Sequence, residues 1–440
     1  MKTIVVKFGG SSLASAGQFK KVADIIRAEP ARRYVVASAP GKRDSADTKV
    51  TDLLYRCYDL AAAKQDFAPV LAQIEARFAD IAAGLGLTFD VAGEIAVIRA
   101  HLEQNPQRDY MASRGEYLNS KLLAAYLGYD FLDPAKAVRF FENGAFDSET
   151  TNEDLAAALS NSERCVVAGF YGALPDGTIH TFSRGGSDVT GAIVARAVKA
   201  DIYENWTDVS GMLSADPRIV ENPRTIAQIT YKELRELSYM GASVLHEDAV
   251  FPVQKANIPI NIRNTNRPAD AGTMIVPATS GRRATRKVTG VAGHTGFSSI
   301  LIDKAMMNGE IGFGAKLLTI LARHGVSFEH CPSGIDTMSI VVSTASLAPA
   351  REAVLAEIEQ ELHPDHLSVE DNLALIAVVG QGMIYSKGVA ASIFGAIADA
   401  KINIRMIDQG SSELNIIIAV QEADYETAIR SIYHAVENRL

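Results

Sequence analysis

The alternation of buried strands and helices along residues 3–275 constrains the fold of this chain more than any other feature. The apolar run at 3–8 predicts a strand, and Phe19, Val22 and Ile25 then recur at helical spacing. Strands that alternate with helices form parallel sheets covered on both faces, so the pattern predicts an α/β fold, a mainly parallel sheet sandwiched by helices. The same spacing predicts further strands at 34–39, 165–170 and 201–206, and helices at 51–63, 67–85, 91–104, 118–127 and 189–198.

The last third of the chain carries an internal repeat. Segments that begin at Thr319 and Gly395 align without a gap at a constant shift of 76 residues, and each shows the order strand, helix, strand, turn, strand, helix. This length favours two copies of a small α+β domain, with a coincidental likeness of two such patterns as the alternative. The polar segment 277–287 predicts a linker. The predicted domains are therefore 1–276, 288–363 and 364–440.

Composition and charge exclude several classes of protein. The formal net charge of −9 argues against a broad nucleic-acid surface, although it is compatible with a local basic pocket for a phosphate. The three cysteines are scattered, which fits neither a disulfide framework nor a metal-ligand cluster, and no protein-held metal site is predicted. No apolar run approaches the roughly 20 residues of a membrane helix and no targeting segment is evident, so a cytoplasmic protein is expected.

The segment KFGGSS, which begins at Lys7, places a cation, two glycines and two hydroxyls directly after the first strand. Gly9 and Gly10 let a ligand approach the backbone closely, while Lys7 and Ser11 supply a positive charge and a hydrogen-bond donor. The N-terminus of a helix soon afterwards adds to an arrangement that suits a polyphosphate. The alternative is a glycine turn beside a lysine that extends into solvent.

A second glycine pair occurs in RGGSD, residues 184–188, at the start of a predicted helix. Arg184 is expected to bind a carboxylate or a phosphate through two parallel hydrogen bonds. Asp188 is expected to orient a substrate amine or a metal. Capping of the helix is the alternative role of Asp188. Two such turns favour phosphoryl chemistry, and we expect Lys7 and Arg184 to converge on one pocket that neutralises a phosphate.

Two further polar segments are candidates for the same site. In SRGEYLNSKLL, Arg114 and Glu116 are predicted to stand just before a helical run, where Glu116 either complements the helix dipole or receives a substrate ammonium group. Thr207 and Asp208 follow a predicted strand, which is the usual ligand position in an open α/β sheet. Ordinary turn chemistry is the alternative for the polar residues that follow Asp208.

In these motifs and their order, the chain resembles the aspartate kinases of the amino acid kinase superfamily over nearly its whole length. The resemblance rests on KFGGSS, RGEYLNSKLL, RGGSD and WTDVSGMLSADPR, and it continues through GASVLHEDAV and INIRNTNRPADAGT. The repeated tail resembles the paired ACT domains of that family, which are ferredoxin-like α+β domains. Members transfer the γ-phosphoryl group of ATP to the β-carboxylate of L-aspartate, the first step toward lysine, threonine and methionine. The resemblance therefore implies ATP with Mg²⁺ bound through its phosphates.

The resemblance also implies a role for each matching residue. Lys7 would stabilise the transferred phosphoryl group, Asp188 would orient the lysine and the substrate, Arg184 would hold the aspartate α-carboxylate, and Glu116 its α-ammonium group. The implied ATP-binding residues are Lys7, Gly9, Gly10, Ser11, Thr207, Asp208, Arg218 and Ser243. The implied aspartate-binding residues are Ser38, Thr51, Glu116, Arg184, Gly185, Gly186 and Ser187. Because a carboxylate is already a competent nucleophile, no general base is needed, and catalysis reduces to positioning and charge neutralisation.

The ACT pair implies regulation by an amino-acid effector such as lysine or threonine, and a homodimer or homotetramer formed through these domains. A dimerising module without a ligand is the alternative. The implied effector-binding residues are Met306, Gly309, Glu310, Ile311, Ser333, Gly334, Asp336, Thr337 and Gln409.

Two other functions compete with that of an aspartate kinase. One is a kinase for another small amino acid such as glutamate. The other is a catalytically silent amino-acid-binding regulator, which is favoured only by Ser243, a position where many family members carry lysine.

Overall fold

The structure, a computed structural model, describes residues 2–183, 185–242, 245, 250–277 and 286–439. The chain forms two compact units. The first comprises the described residues among 1–212, 225–231 and 244–279, and the second those among 213–224, 232–243 and 280–440.

The first unit is built on an eight-stranded sheet and a separate hairpin. The sheet strands are β1 (Ile4–Phe8), β2 (Arg32–Ala37), β3 (Asp130–Leu132), β4 (Cys165–Ala168), β7 (Ile202–Thr207), β8 (Gln228–Thr230), β9 (Ile260–Asn264) and β10 (Thr273–Val276), and the hairpin is β5 (Tyr171–Ala173) with β6 (Ile179–Thr181). The strand order is β3-β4-β2-β1-β7-β9-β10-β8, in which β3 to β9 are parallel neighbours and β10 runs antiparallel to β9. The predicted mainly parallel sheet is confirmed.

Helices cover both faces of this sheet. They are α1 (Ala16–Arg27), α2 (Val50–Ala62), α3 (Ala68–Leu85), α4 (Val91–Gln104), α5 (Arg108–Leu127), α6 (Ser148–Ser160), α7 (Gly186–Ala197) and α9 (Val250–Lys255), while α8 (Tyr231–Tyr239) begins in the first unit and continues in the second. The side chains of Ile4, Val6 and Phe8 join the apolar core formed with α1 to α5. The alternate residues of β1 face the other side, where α7 packs on β1, β2 and β7.

The start of α5 differs from the sequence prediction. Arg114 and Glu116 lie in the middle of this 20-residue helix rather than just before it. The helix buries polar as well as apolar side chains, among them Arg114, Glu116 and Asn119, so its N-terminal half shows no amphipathic periodicity. The other predicted strands and helices of this unit are confirmed to within a few residues.

The second unit is built on a six-stranded antiparallel sheet in the order β12-β13-β11-β14-β16-β15. Its strands are β11 (Gly290–Asp303), β12 (Phe328–His330), β13 (Thr337–Ser343), β14 (His366–Val379), β15 (Met406–Asp408) and β16 (Asn415–Gln421). The helices that follow β11 in the chain are α10 (Phe313–Arg323), α11 (Thr344–Leu347), α12 (Arg351–Leu362), α13 (Val389–Asp399) and α14 (Tyr425–Arg439).

The predicted repeat is confirmed at the level of the backbone. The bounds of β11 and β14, and those of α10 and α13, differ by the predicted shift of 76 residues. The same shift relates Gly312, with a φ of 87°, to Gly388, with a φ of 86°, and both residues precede a repeated helix. Duplicated left-handed positions of this kind indicate that the two copies share a backbone path as well as an apolar pattern.

The two copies exchange halves of their long strands. Ile300 and Ile302, in the C-terminal half of β11, pack into the core of the first copy, whereas Val291, in its N-terminal half, packs into the core of the second. The register of the β11–β14 pair shifts between these halves, next to Gly296 and Asn372. These two residues have φ angles of 97° and 59° and are again 76 residues apart. Each core is therefore completed by strand residues that the repeat assigns to the other copy.

Two segments that precede the repeat also belong to the second unit. In 213–224, the Ser214 carbonyl accepts a 2.8 Å hydrogen bond from the Val291 N–H, and Arg224 pairs with Glu437 at 3.1 Å. In 232–243, Glu236 accepts a 2.6 Å hydrogen bond from the Asn415 side chain. The predicted linker lies mostly at 278–285, outside the described residues.

Among the helices that the structure describes, none is both long enough and apolar enough to cross a membrane.

Candidate active site

Lys7 lies near the C-terminal end of β1 and pairs with Asp188 of α7. The Lys7 Nζ and Asp188 Oδ1 atoms are 2.5 Å apart, and both side chains are largely buried. Asn205, which is in register with Lys7 on β7, donates a second hydrogen bond of 2.7 Å to the same Asp188 oxygen. The Asp188 carboxylate therefore fixes the lysine, and the helix is capped by Gly185 rather than by Asp188.

The glycines after β1 form a close crossing with the loop after β2. The Gly41 N–H donates a 2.8 Å hydrogen bond to the Gly10 carbonyl. A Cβ atom on Gly10 would lie 2.9 Å from the Ala39 carbonyl oxygen, and one on Gly41 would lie 2.6 Å from the Gly10 carbonyl carbon. Gly9 leaves open the space beside Lys7, because a Cβ atom there would lie 3.6 Å from the Lys7 Nζ. Backbone is thus exposed next to a cation, as phosphate binding requires.

Glu116 projects from the middle of α5 into a buried environment. Its side chain is almost inaccessible to solvent, and its Oε2 atom has no hydrogen-bond partner among the described residues. Burial raises the pKa of the Glu116 carboxyl to about 8, against the opposing effects of the Ala39 N–H and of the charge on Lys7. A cation that reached this carboxylate would supply the missing partner.

The same face of α5 holds the segment 38–39 in place. Asn119, one helical turn after Glu116, donates a 2.7 Å hydrogen bond to the Ser38 carbonyl. Gly115 packs so closely that a Cβ atom on it would lie 2.7 Å from the Ala39 Cβ. Ser38 is half-buried at the end of β2, and Thr51 is half-buried in the first turn of α2. Ser38 therefore lies beside the α5 face that carries Glu116, and Thr51 lies on α2, which packs on α5.

The N-terminus of α7 packs against the chain that follows β4. Gly185 has a left-handed φ of 58°, and Gly186 begins the helix. Ser187 is buried, and a Cβ atom on Gly169 would lie 2.5 Å from its hydroxyl oxygen. Phe170 has a positive φ of 82°, and its N–H donates to the Thr190 hydroxyl at 3.0 Å. A non-glycine residue in this conformation is strained, which is typical of functional sites.

Thr207 and Asp208 lie where β7 ends, next to the end of β1. The Thr207 hydroxyl donates a 3.2 Å hydrogen bond to Asp208 Oδ1, and Asn264 donates to the Asp208 carbonyl, also at 3.2 Å. The Asp208 carboxylate makes no ion pair with any described residue. The Gly9 N–H donates to the Trp206 carbonyl at 3.0 Å, which ties this strand end to the glycine loop.

Three predicted site residues are not placed with this cluster. Arg184 and Ser243 lie outside the described residues, so the predicted convergence of Lys7 with Arg184 stays a prediction. Arg218 belongs to the second unit, where it pairs with Asp216 at 2.6 Å and is largely exposed. Its role at the nucleotide also stays a prediction.

The predicted effector residues of the second unit come together in part. The Met306 N–H donates a 2.8 Å hydrogen bond to Asp336, which joins the loop 306–312 to the turn 333–337. Met306 and Ile311 are 79% and 99% exposed, so the loop presents apolar side chains to its surroundings. Glu310 bridges Lys304 and Lys316 at 2.5 and 3.0 Å, and Gln409 is exposed after β15.

Sequence reasoning missed four residues that shape the first-unit site: Gly41, Asn119, Phe170 and Asn205. Each acts through a partner distant in sequence, such as Asn205 with Asp188 or Asn119 with Ser38. Asn205 had a usable signal, since it is a polar residue inside an otherwise buried strand. The other three become visible only from the fold.

Comparison with known proteins gives consistent matches over the whole chain. The model of the amino acid kinase family matches residues 2–264, and an ACT domain model matches residues 376–436. Aspartokinase 3 of Bacillus subtilis (strain 168) is 42% identical over 445 residues, which cover 98% of this chain and 97% of that protein.

Two solved structures show the same similarity in three dimensions. Aspartate kinase of Clostridium acetobutylicum, described as an allosteric enzyme, matches with a TM-score of 0.91 and 47% identity, covering 99% of this chain and 100% of that one. Aspartokinase III of Escherichia coli in complex with aspartate and ADP, in the R-state, matches with a TM-score of 0.75 and 25% identity over the same shares of the two chains.

Proposed function

The chain belongs to the aspartokinases, and on that premise we propose how its residues transfer the γ-phosphoryl group of ATP to the β-carboxylate of L-aspartate. The activity is that of an aspartate kinase under allosteric control. The observation that carries the assignment of roles is the buried Lys7–Asp188 pair at the strand ends, within electrostatic reach of Glu116. The residues of this group come from β1 and from α5 and α7, two helices that pack on opposite faces of the sheet.

Phosphoryl transfer proceeds by in-line displacement. An oxygen of the aspartate β-carboxylate forms a bond to the γ-phosphorus, while the bond between that phosphorus and the β–γ bridging oxygen breaks and ADP leaves. Lys7 neutralises charge on the phosphoryl oxygens, and the Gly9 and Gly10 backbone with the Ser11 hydroxyl lies against the neighbouring phosphates. Asp188 and Asn205 hold the Lys7 ammonium group at the reaction centre, so little reorganisation is needed.

Binding of the acceptor uses Glu116 and the groups around it. The ionised Glu116 carboxylate receives the aspartate ammonium group through the oxygen that has no partner among the described residues. Ser38, Thr51, Ser187 and the glycines of the α7 N-terminus surround the rest of the substrate, and Arg184 takes the α-carboxylate. Aspartate is thereby oriented with its β-carboxylate toward the γ-phosphate.

We propose that Mg²⁺ fits this site as a companion of ATP, bound through the ATP phosphates. Mg²⁺ is commonly held by one or two carboxylates together with substrate phosphates. The Asp208 carboxylate at the end of β7, which has no ion pair with the described residues, is the group that would hold it, and the metal would neutralise phosphate charge.

The test is an assay of ADP release with MgATP and either L-aspartate or L-glutamate. We expect turnover with aspartate, and Lys7→Ala should lower kcat by about a thousandfold while the melting temperature shows a folded protein. Lys21→Ala is the control, because the ammonium group of this exposed lysine on α1 hydrogen-bonds only to the Asn266 side chain among the described residues. ATP consumption with glutamate alone would assign a different substrate. No consumption with either amino acid would favour the silent regulator.

We further propose that the effector is an amino acid such as lysine or threonine, bound in the second unit. The C. acetobutylicum relative is described as allosteric, and the loop 306–312 and turn 333–337 of this chain are held together by Asp336. A homodimer or homotetramer through the ACT domains, a cytoplasmic location and a place in lysine, threonine or methionine synthesis are further parts of this proposal.

A further inference from the structure

A buried arginine of α3 has no part in the function proposed above. Arg77 is 5% exposed, and its neighbours on the helix, Ile74 and Phe78, are buried in the apolar core. An arginine is rarely found in such a place unless its charge is paired. The Arg77 Nη1 atom donates a 2.5 Å hydrogen bond to Asp47 Oδ2, and the Nη2 atom donates a 2.6 Å hydrogen bond to the Gly41 carbonyl. Both partners belong to the connection between β2 and α2.

This connection, residues 38–49 and here called the acceptor loop, lies between two of the proposed aspartate-binding positions. Ser38 is its first residue, and Thr51 follows it in the first turn of α2. The middle of the loop, residues 41–47, makes one hydrogen bond through the Gly41 N–H to the glycine loop after β1. In the part of the chain that the structure describes, its other hydrogen bonds to residues beyond this middle segment come from Arg77. Arg77 is therefore the main polar anchor of the loop.

Asp47 is bonded within the loop as well as to Arg77. The backbone N–H and the side chain of Arg43 donate hydrogen bonds to the Asp47 carboxylate at 2.8, 3.0 and 3.1 Å. The bonds from Arg43, together with the bond from Arg77, hold the pKa of the Asp47 carboxyl well below its ordinary value, so the carboxylate is charged at neutral pH. Removal of the Arg77 side chain alone would leave Asp47 paired with Arg43.

The contacts of Arg77 do not indicate a gain in stability. A buried ion pair stabilises a fold little compared with apolar side chains of similar size, because both charges lose their hydration. The Arg77 Nε atom is buried without a hydrogen-bond partner among the described residues, which adds to this cost. A buried pair of this kind can instead fix one arrangement of the chain. Here the arrangement that it fixes is that of the acceptor loop.

The glycine loop after β1 has anchors of its own. The Gly9 N–H donates to the Trp206 carbonyl at 3.0 Å, and the Ser12 hydroxyl shares a buried 2.7 Å hydrogen bond with the Thr265 hydroxyl. Neither bond involves the acceptor loop. Arg77 therefore acts on the acceptor side of the crossing between the two loops, and loss of its side chain would leave the phosphate side anchored.

We propose that Arg77 is a positioning residue for phosphoryl transfer. Through the Gly41 carbonyl and the Asp47 carboxylate, it holds the acceptor loop at the distance from the glycine loop at which the aspartate β-carboxylate meets the γ-phosphate. Arg77 acts through the loop and is assigned no contact with either substrate. The proposal rests on the function proposed above, and it adds a residue that lies in none of the sequence motifs.

The test compares Arg77→Met with Arg196→Met, each in the full chain, by steady-state kinetics with both substrates. Arg196, in the last turn of α7, is the matched control, because its side chain is 13% exposed against 5% for Arg77. Its partner Glu149 also keeps a second cation, Lys255, when the arginine is removed. We expect Arg77→Met to lower kcat/KM for aspartate by about tenfold or more, while the KM for ATP changes by less than about twofold. Arg196→Met should leave both quantities unchanged.

A double variant distinguishes positioning from a general loss of stability. If Arg77 acts through the crossing of the loops, the losses in Arg77→Met and Gly41→Ala are not additive, and the double variant should lose about as much as the more damaged single variant. Arg77→Lys offers one nitrogen in place of the two that bind Asp47 and Gly41, so it should also lose activity. It takes the place of Arg77→Met if a melting curve shows that Arg77→Met does not fold.

Three results would overturn the proposal while the unmodified protein still turns over aspartate, so that the kinase function stands. They are an unchanged kcat/KM for aspartate in a folded Arg77 variant, an equal loss in Arg196→Met, and additive losses in the double variant. If the unmodified protein itself shows no turnover with aspartate, the kinase function and this inference fail together.

Discussion

At the scale of single residues, the burial of Glu116 has a cost in stability, and its carboxylate has a proposed use in substrate binding. Its buried carboxyl has a pKa of about 8, far above the ordinary value of 4.5. Between these values the folded protein keeps a proton that the unfolded chain has lost, so this residue lowers the free energy of unfolding as the pH rises through that window. The ionised form that destabilises the empty site is the form that we propose binds the substrate ammonium group.

Glu116→Gln separates the two effects. The neutral amide cannot ionise, so we expect a melting temperature above that of the unmodified protein, with a gain that grows from pH 5 to pH 8. The KM for aspartate should rise by about a hundredfold, because a buried charged hydrogen bond is lost. In the unmodified protein, the KM for aspartate should fall as the pH is raised from 6 toward 8. Glu103→Gln, at an exposed position of α4, should show neither effect, and a pH-independent KM would contradict the assignment.

At the scale of elements, the crossing of the loops after β1 and β2 determines the distance between the backbone that we propose binds phosphate and the loop that we propose binds the acceptor. Gly10 and Gly41 meet backbone to backbone, and the nearest atoms to an added Cβ on Gly41 belong to the Gly10–Ser11 peptide rather than to a flexible side chain. Such a contact cannot be relieved by a rotamer change, so it must be relieved by separation of the loops.

Gly41→Ala is therefore expected to reduce kcat/KM by about tenfold or more, because displacement of about 1 Å in a positioned reactant is costly. Steady-state kinetics with both substrates and a melting curve measure this. Gly17→Ala in α1 is the control, since an added Cβ there would meet only the Ser15 hydroxyl oxygen, at 3.9 Å. Equal activity in the two variants would show that the crossing does not position the site.

The same elements show what could be predicted from the sequence. Strand β1 was predictable because it begins with a short apolar run, and β7 because it follows a predicted helix in the alternating pattern. Their parallel pairing followed from the intervening helices. The position of Glu116 within α5 was not, because a helix that buries polar side chains has no polar face to mark its start. The partners of Asp188 and Ser38 are Asn205 and Asn119, and only the tertiary fold brings these pairs together.

At the scale of the whole molecule, the repeat predicts two domains, but the cores of the second unit share the strands between them. Leu367 packs on the first core although it follows the repeat boundary, and Val291 packs in the second although it precedes that boundary. A chain cut between 363 and 364 would therefore leave each copy without half of a central strand.

We expect the fragments 286–363 and 364–440, expressed separately, to show little β-sheet signal by circular dichroism and no cooperative melting. Mixing them should restore part of that signal, because the missing strand halves are then supplied by the other fragment. Cooperative unfolding of either fragment alone would show that the exchanged strand halves are dispensable.

The division of the chain into interleaved segments has a consequence for how a signal reaches the catalytic centre. Between residues 212 and 232 the backbone passes from one unit to the other three times, and the first passage comes four residues after Asp208. Because the connection is this short, we expect a displacement of the segment 213–224 to be transmitted along the backbone to Thr207 and Asp208, which we propose bind the nucleotide. Insertion of glycine residues between residues 212 and 213 would lengthen this connection. We expect such a variant to keep its kinase activity but to lose its inhibition by the effector.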